Sequence, residues 1–274
     1  MQGRIVWIAS YPKSGNTWMR LFLMELLHPG SAANPSQVQA FVPNENAAVF
    51  YQPFLEGPAD LASNQDLARV RPQAQALAAS RQPFNLLKTH NLRGTHLGTP
   101  TLDPALTVAA VYMVRHPLDV VVSYAAFRNW TIDEAIDRLL APGRILPRAP
   151  GGSYMISGSW AENVASWRTA PGEPVLTLRY EDCVADPATS FGRLASFLRL
   201  PVGQADLDRA IANTSFTALS EAEGRAGFSE RPLGTDRFFR SGRSGVWKDC
   251  LSTAQIARVV NACGPEMERH GYTA

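Results

Sequence analysis

Four short apolar runs interrupt an otherwise mixed chain, at residues 5–9, 84–88, 107–114 and 175–179. Each is aliphatic or β-branched with little alternation, the pattern of strands covered on both faces. Between and after them, apolar positions recur at helical spacing over 17–27, 118–126, 132–140, 159–169, 188–198, 206–213 and 253–270. Strands alternating with helices predict an α/β fold built on a central, mainly parallel sheet flanked by helices. In such folds ligands lie beyond the C-terminal strand ends. That rule places Lys13, the stretch from Lys88 to His90, and Arg115 on one rim, because each follows an apolar run. Three segments break the periodicity: 29–71, 141–158 (with Pro142, Pro147 and Pro150) and 221–245. Stretches of that length in a compact domain read as lids or binding loops.

The 274 residues suffice for a large buried core and read as a single domain, 1–274. A hydrophobic share of 45% with 18% charged residues is that of a globular enzyme. A net charge of +2 is too small for a nucleic-acid coat, so any anion site needs locally arranged basic residues. Cys183, Cys250 and Cys263 are widely spaced with no C-x-x-C pair. They predict neither a disulfide framework nor a zinc site, and fit a reducing cytoplasm. No apolar run reaches about 18 residues, so no membrane span is expected.

The first apolar run turns through Tyr11-Pro12-Lys13-Ser14-Gly15-Asn16-Thr17-Trp18 into a helical pattern. A strand, a small-residue loop with a lysine and a helix start form an anion cradle, with free N–H groups and the helix dipole aimed at the ligand. The lysine precedes the only glycine, unlike the G-x-x-x-x-G-K-[ST] nucleoside-triphosphate loop. An ordinary strand-to-helix turn capped by Ser14 or Asn16 gives the same pattern. After the third run, Arg115 is followed by Pro117, suited to a first helical turn, and by Ser123. Arg115 offers phosphate a planar donor fork, or stands as a salt-bridged rim residue. Near the C-terminus, Arg240-Ser241-Gly242-Arg243-Ser244-Gly245-Val246-Trp247-Lys248 reads as a second anion loop or as a solvated basic turn.

Together these pieces resemble the cytosolic and bacterial sulfotransferases that use 3′-phosphoadenosine-5′-phosphosulfate (PAPS). The loop from Tyr11 to Trp18 resembles their 5′-phosphosulfate loop, Arg115 to Ser123 their 3′-phosphate motif, and Arg240 to Leu251 their C-terminal R-K-G-x-x-G-x-W-K-x-x-L segment. The likeness extends to Lys88-Thr89-His90, Gly158-Ser159-Trp160, Tyr180-Glu181-Asp182 and Thr214-Ser215-Phe216, all in the family's order. The resemblance implies that Lys13, Ser14, Gly15, Asn16 and Thr17 hold the phosphosulfate and that Trp18 stacks on adenine. It implies that Arg115, Ser123, Arg240, Ser241 and Gly242 hold the 3′-phosphate. Tyr180 would approach the adenine edge, with Thr214, Ser215 and Phe216 closing over the base.

The resemblance also makes His90 the general base, Lys13 the stabiliser of the leaving oxygen, Lys88 the contact to the sulfonate and Ser123 a guide for Lys13. PAPS would leave as 3′-phosphoadenosine 5′-phosphate (PAP), and no metal is expected. Two departures stand out. Ser241 replaces the family's lysine, which weakens the 3′-phosphate site or shares its load with Arg243. The dimer motif K-x-x-x-T-V-x-x-x-E reads Lys248, Ser252, Thr253 and Ala257 here, without its terminal acid, so the oligomeric state stays open. Acceptor choice falls to the irregular segments, where Phe50, Tyr51, Phe54, Phe84, Phe127, Trp130, Tyr154 and Phe228 are candidates for an apolar pocket. Such a pocket favours a phenol or another hydrophobic alcohol as the small-molecule acceptor. Two other readings of the same residues are a nucleoside-triphosphate-dependent small-molecule kinase and a non-catalytic nucleotide-binding module.

Overall fold

The computed structural model describes residues 4–148, 152–169, 172–232 and 234–274; Pro150, noted above, lies outside them. Strand β1 (Arg4–Ser10) leads into helix α1 (Asn16–Leu27). Two single-turn helices, α2 (Val38–Phe41) and α3 (Ala48–Tyr51), and the longer α4 (Asn64–Ala79) precede β2 (Phe84–Thr89). A small hairpin of β3 (Thr95–His96) and β4 (Thr99–Pro100) comes before β5 (Thr107–Val114), α5 (Pro117–Arg128) and α6 (Ile132–Leu140). The antiparallel pair β6 (Ile145–Leu146) and β7 (Met155–Ile156) is followed by α7 (Trp160–Thr169) and β8 (Val175–Arg179). Helices α8 (Tyr180–Ala185), α9 (Pro187–Phe197), α10 (Gln204–Asn213), α11 (Phe216–Ala226) and α12 (Thr253–Arg269) complete the chain.

The four apolar runs are the four strands of the main sheet, in the order β2-β1-β5-β8. β1 and β2 run parallel in a register from Arg4↔Phe84 to Ala9↔Thr89. β2 extends one residue past its expected end, so Lys88 sits within the strand and His90 directly follows it. The chain divides into two compact units. The first comprises Met1–Pro12, Val42–Tyr112 and Arg138–Val175, and the second Lys13–Phe41, Met113–Asp137 and Leu176–Ala274. In the first, Trp7 is buried with its indole N–H on Thr107 Oγ1 at 2.9 Å, and Tyr112 stacks on Trp167. In the second, Leu21, Met24, Val38, Leu219 and Phe228 form one apolar cluster, and Phe22 stacks on Phe191 at 4.1 Å.

The segment 29–71 is less irregular than expected, because α4 fills its end. Ser63 caps this helix, accepting from the Asp66 N–H at 3.0 Å. Two features hide it in the sequence. Pro72 lies inside it, where proline removes a backbone donor. Its buried stripe also carries Arg71 and Gln75 among Leu67, Ala74 and Ala78, so the apolar period is broken where the helix is in fact covered. The segment 221–245 likewise opens in helix, as the end of α11.

Around Arg71 lies a buried polar group. The Arg71 guanidinium stands over the Tyr154 ring at 4.9 Å, and the Glu45 carboxylate accepts from Asn91 Nδ2 at 2.5 Å. Burial pushes the Glu45 carboxyl up to about 7, against the opposing pull of Arg71 and the hydrogen bonds from Tyr51 and Asn91. A carboxyl whose folded pKa exceeds its unfolded one binds its proton more tightly when folded, so its burial costs stability as pH rises from about 4.5 to about 7. Glu45→Gln should therefore gain on the wild type across that window. Denaturant unfolding of both proteins at several pH values checks this, and parallel pH courses would rule out titration of Glu45 there.

Candidate functional site

In the second unit the turn from β1 into α1 has the backbone of an anion cradle. Gly15 caps α1 at φ 100° and, lacking a side chain, makes no side-chain cap bond of its own. Lys13 also adopts a left-handed backbone, φ 68°, a conformation a non-glycine residue holds at a cost. Among the described residues, the buried Ser14 Oγ has no hydrogen-bond partner. A buried hydroxyl of that kind costs free energy unless a ligand satisfies it, so it fits a phosphate or sulfonate oxygen in the turn. The glycine is a packing requirement too. A Cβ on Gly15 would stand 2.5 Å from Met113 Sδ and 2.8 Å from the Tyr180 ring.

Arg115 joins this turn to the C-terminal glycine loop. Its Nη1 donates to the Lys13 carbonyl at 3.2 Å and its Nη2 to the Arg243 carbonyl at 3.1 Å. The guanidinium lies over the Tyr180 ring, 4.2 Å from its centre. The C-terminal loop is held in turn by acids that sequence reasoning left without a role. Asp119, almost wholly buried, accepts from the backbone N–H of Gly245 at 2.7 Å and of Trp247 at 3.1 Å. Glu223, on α11, accepts from the backbone N–H of Phe238 and Phe239 at 2.7 and 3.0 Å. The available signal was an acid in the first turn of a helix opened by Pro117, a weak one because such acids usually face solvent. His116 caps the same helix: its Nδ1 accepts from Leu118 N and its Nε2 donates to the Thr273 carbonyl. Burial pushes its pKa below the ordinary value, which keeps the ring neutral.

Lys13, Ser123, Phe127, Phe238 and Arg240 line a cavity of about 410 Å³ in this unit. The Lys13 ammonium sits 3.6 Å from the centre of the Phe127 ring and 4.7 Å from that of Phe238. Trp18 is half-buried, its indole N–H on the Thr214 carbonyl at 2.8 Å and its ring edge-on to Tyr180 and Phe191. The hydroxyls of Thr214 and Ser215 serve the fold, one bonding the Ala210 carbonyl and the other capping α11. Phe216, by contrast, is exposed and packs against Gly242, where a Cβ would come within 2.3 Å of its ring. Gly242 itself has φ 60°, so two constraints demand glycine there. Ser241 is half-buried and Arg240 exposed. The Thr17 hydroxyl donates to Glu230 at 2.8 Å, and Asn16 Oδ1 accepts from Arg20 Nε at 2.9 Å.

In the first unit, β1 and β2 place Ser10 and His90 together just past their paired ends. His90 Nδ1 lies 2.8 Å from the Ser10 carbonyl oxygen. A carbonyl only accepts, so Nδ1 carries the proton and the neutral ring has its lone pair on Nε2. Asn163 Nδ2 donates to the His90 carbonyl at 3.1 Å and so fixes the backbone of the same residue. Lys88 lies two residues before His90, half-buried, its backbone bonded to Pro43 and Glu45. The expected aromatic pocket is only partly realised. Phe50, Tyr51 and Tyr154 are core residues, and Phe84 is 63% exposed opposite Arg4, at the strand end remote from Lys88. Strand alternation explains the difference, since an apolar residue opening a strand can face solvent at its edge.

A family model described as "Sulfotransferase domain" matches residues 4–271. The chain belongs to the sulfotransferase domain family. Cattle sulfotransferase 1A1 is 26% identical over 263 residues, covering 90% of this chain and 78% of the relative. Cytosolic sulfotransferase 8 of Arabidopsis thaliana is also 26% identical, covering 89% and 71%. Among solved structures, retinol dehydratase in a complex with retinol and PAP superposes with a TM-score of 0.65 at 19% identity, covering 97% of this chain and 82% of that one. Mouse sulfotransferase SULT7A1 complexed with PAP gives 0.59 at 21%, covering 97% and 85%. The sulfotransferase is thus an α/β enzyme of sulfuryl transfer, and the kinase and binding-module readings are set aside. Among the described residues no group of acidic, cysteine or histidine side chains is arranged for a metal ion, and no helix is long and apolar enough to cross a membrane.

Two glycines test the loop geometry against each other. Gly15→Ala should lower the unfolding free energy by about 2–4 kcal/mol, from a left-handed backbone and an overpacked contact, and weaken PAP binding. Gly30→Ala has the same backbone sign, φ 86°, with open space around it, and should cost only about 1–2 kcal/mol. Equal losses in chemical denaturation would show that the contact with Met113 and Tyr180 does not constrain Gly15.

Proposed function

We propose that this protein transfers the sulfuryl group of PAPS to the hydroxyl of a small hydrophobic alcohol or phenol, with His90 as general base, in one catalytic domain. The observation that carries the base assignment is the bond between His90 Nδ1 and the Ser10 carbonyl, which directs the ring's lone pair to Nε2. Nε2 takes the acceptor's hydroxyl proton as the acceptor oxygen forms its bond to sulfur. The bond between sulfur and the bridging oxygen breaks, its electron pair passes to the 5′-phosphate of PAP, and the sulfate ester leaves.

Charge develops on the leaving oxygen and on the sulfonate, and positioned cations stabilise it. Lys13 serves the leaving oxygen and Lys88 the sulfonate. The Lys13 ammonium rests over Phe127 and Phe238, cation–π contacts worth about 0.5–2 kcal/mol. Ser123, lining the same cavity, guides it. The orphaned Ser14 hydroxyl and the amides of Gly15, Asn16 and Thr17 hold the phosphosulfate, and Arg115 acts with Arg240, Ser241 and Gly242 at the 3′-phosphate. Trp18, Tyr180 and Phe216 frame the adenine. That frame supports stacking of about 1–3 kcal/mol per base.

The acceptor class draws support from solved relatives that hold androsterone or retinol, each a hydrophobic alcohol. The three thiols are free, and burial pushes those of Cys183 and Cys263 up to about 12, which suits a reducing, cytoplasmic setting.

Incubation with labelled PAPS and a panel of phenols, sterols and aliphatic alcohols should give sulfate esters by mass spectrometry, with release of PAP. Absence of any ester across the panel would overturn the acceptor class. His90→Ala should keep PAP affinity within about threefold and lower kcat by about 10²–10⁴. Undiminished transfer by that variant would remove the base from His90. At a hundredfold excess over its Kd, PAP should add about 2.7 kcal/mol to stability, and ADP less. Equal shifts would show that the 3′-phosphate is not recognised.

A further inference from the structure

Behind the phosphosulfate turn, Arg20 is wholly buried and sends its donors three ways. Its Nε bonds Asn16 Oδ1 at 2.9 Å, and its Nη2 bonds Thr17 Oγ1 at 3.2 Å and both oxygens of Glu230, at 2.6 and 2.9 Å. Thr17 Oγ1 completes the ring by donating its one proton to Glu230 Oε2. Glu230 lies in the segment 221–245, far along the chain from α1. Two residues before it, Phe228 packs on Phe238 at 4.8 Å and on Phe239 at 5.5 Å, directly ahead of Arg240. Phe238 returns to the turn, under the Lys13 ammonium. A continuous path of contacts therefore runs from the start of α1 through Glu230 and the phenylalanines back to Lys13 and Arg240.

We propose that Glu230 is a positioning residue for donor binding, a tether that sets the Phe238–Arg240 strip against the phosphosulfate turn without itself touching the donor. The charges favour this role. A carboxylate next to a site for a multiply charged anion would repel it, yet Glu230 is compensated by a guanidinium that is 0% exposed and by the Thr17 hydroxyl. With its proton committed, Thr17 offers an anion its backbone N–H, and its side chain belongs to the tether. The cost of an unpaired buried Arg20 keeps the tether closed. This inference rests on the donor being PAPS only for its binding readout.

Glu230→Gln keeps the shape and removes the charge; Glu230→Asp keeps the charge and shortens the arm. For Glu230→Gln, PAP Kd and the KM for PAPS should both rise about tenfold or more, with kcat within threefold, and Glu230→Asp should recover part of the loss. Glu173→Gln, which cuts the Arg93–Glu173 pair at 2.5 Å elsewhere, should lower Tm and leave PAP Kd unchanged. Limited trypsin digestion reads the tether without any nucleotide, because Arg237, Arg240 and Arg243 are exposed cleavage points. Cleavage there should quicken severalfold in Glu230→Gln and stay at the wild-type rate in Glu173→Gln. A PAP Kd within twofold of wild type beside a lowered Tm would reduce Glu230 to a stabilising pair, and a tighter Kd would make it an obstruction. If the wild type binds no PAP, the donor assignment fails while the digestion still decides the tether: unchanged cleavage in Glu230→Gln overturns it.

Discussion

One guanidinium sets the spacing of the two loops that the donor reading depends on. Arg115 donates to the carbonyl of Lys13 with one terminal nitrogen and to that of Arg243 with the other. The fork is planar and rigid, so the two carbonyls stand a fixed distance apart. A lysine there would reach one carbonyl and leave the other loop untied. The Tyr180 ring beneath the guanidinium limits its tilt, and that same ring excludes a side chain at position 15. Loop spacing, ring placement and the absence of a Cβ at Gly15 are thus one constraint seen from three residues.

The acids of the second unit serve the same end. Asp119, Glu223 and Glu230 lie close to basic residues, where surface charge-counting would pair them across salt bridges. Asp119 and Glu223 instead each take two backbone amides, while Glu230 does form a salt bridge, to a buried arginine, and accepts from a hydroxyl. A carboxylate accepting two amides fixes a loop more firmly than an exposed ion pair, because charge-assisted bonds to the main chain involve no long mobile partner. Lys13 and Arg240 line the cavity of the same unit. A net charge of +2 thereby coexists with a locally cationic surface.

Much of this was readable from the sequence, for a physical reason. Buried parallel strands are nearly continuous apolar runs, so all four strands of the main sheet appear within one residue of their expected bounds at either end. The glycine turns were readable because Gly15 and Gly242 hold left-handed backbones that other residues resist. Helix α4 was not readable, since Arg71 and Gln75 interrupt its covered face. Asp119 and Glu230 were invisible for a different reason. Their partners lie more than a hundred residues away in sequence for Asp119, and in Glu230 the pairing crosses from α1 to the C-terminal third. Periodicity reports local structure and carries no information about which amide a distant carboxylate will meet.

The same distinction separates the two kinds of functional residue. Lys13, Lys88, His90 and Arg115 are tied to strand ends, and their places follow from β1, β2 and β5 alone. Arg240 and Gly242 belong to a strip with no regular structure, held by acids on α5 and α11 that accept from neighbouring amides and by Arg115 on the Arg243 carbonyl. A residue on a strand end tolerates change around it, since the sheet's ladder fixes its backbone. A residue on the strip inherits every weakness of its anchors. Sequence variation at Asp119 or Glu223 therefore reaches Arg240 and Gly242, whereas comparable variation on the outer face of α6 or α12 stops at the surface ion pairs of Arg258 with Asp133 and Asp137.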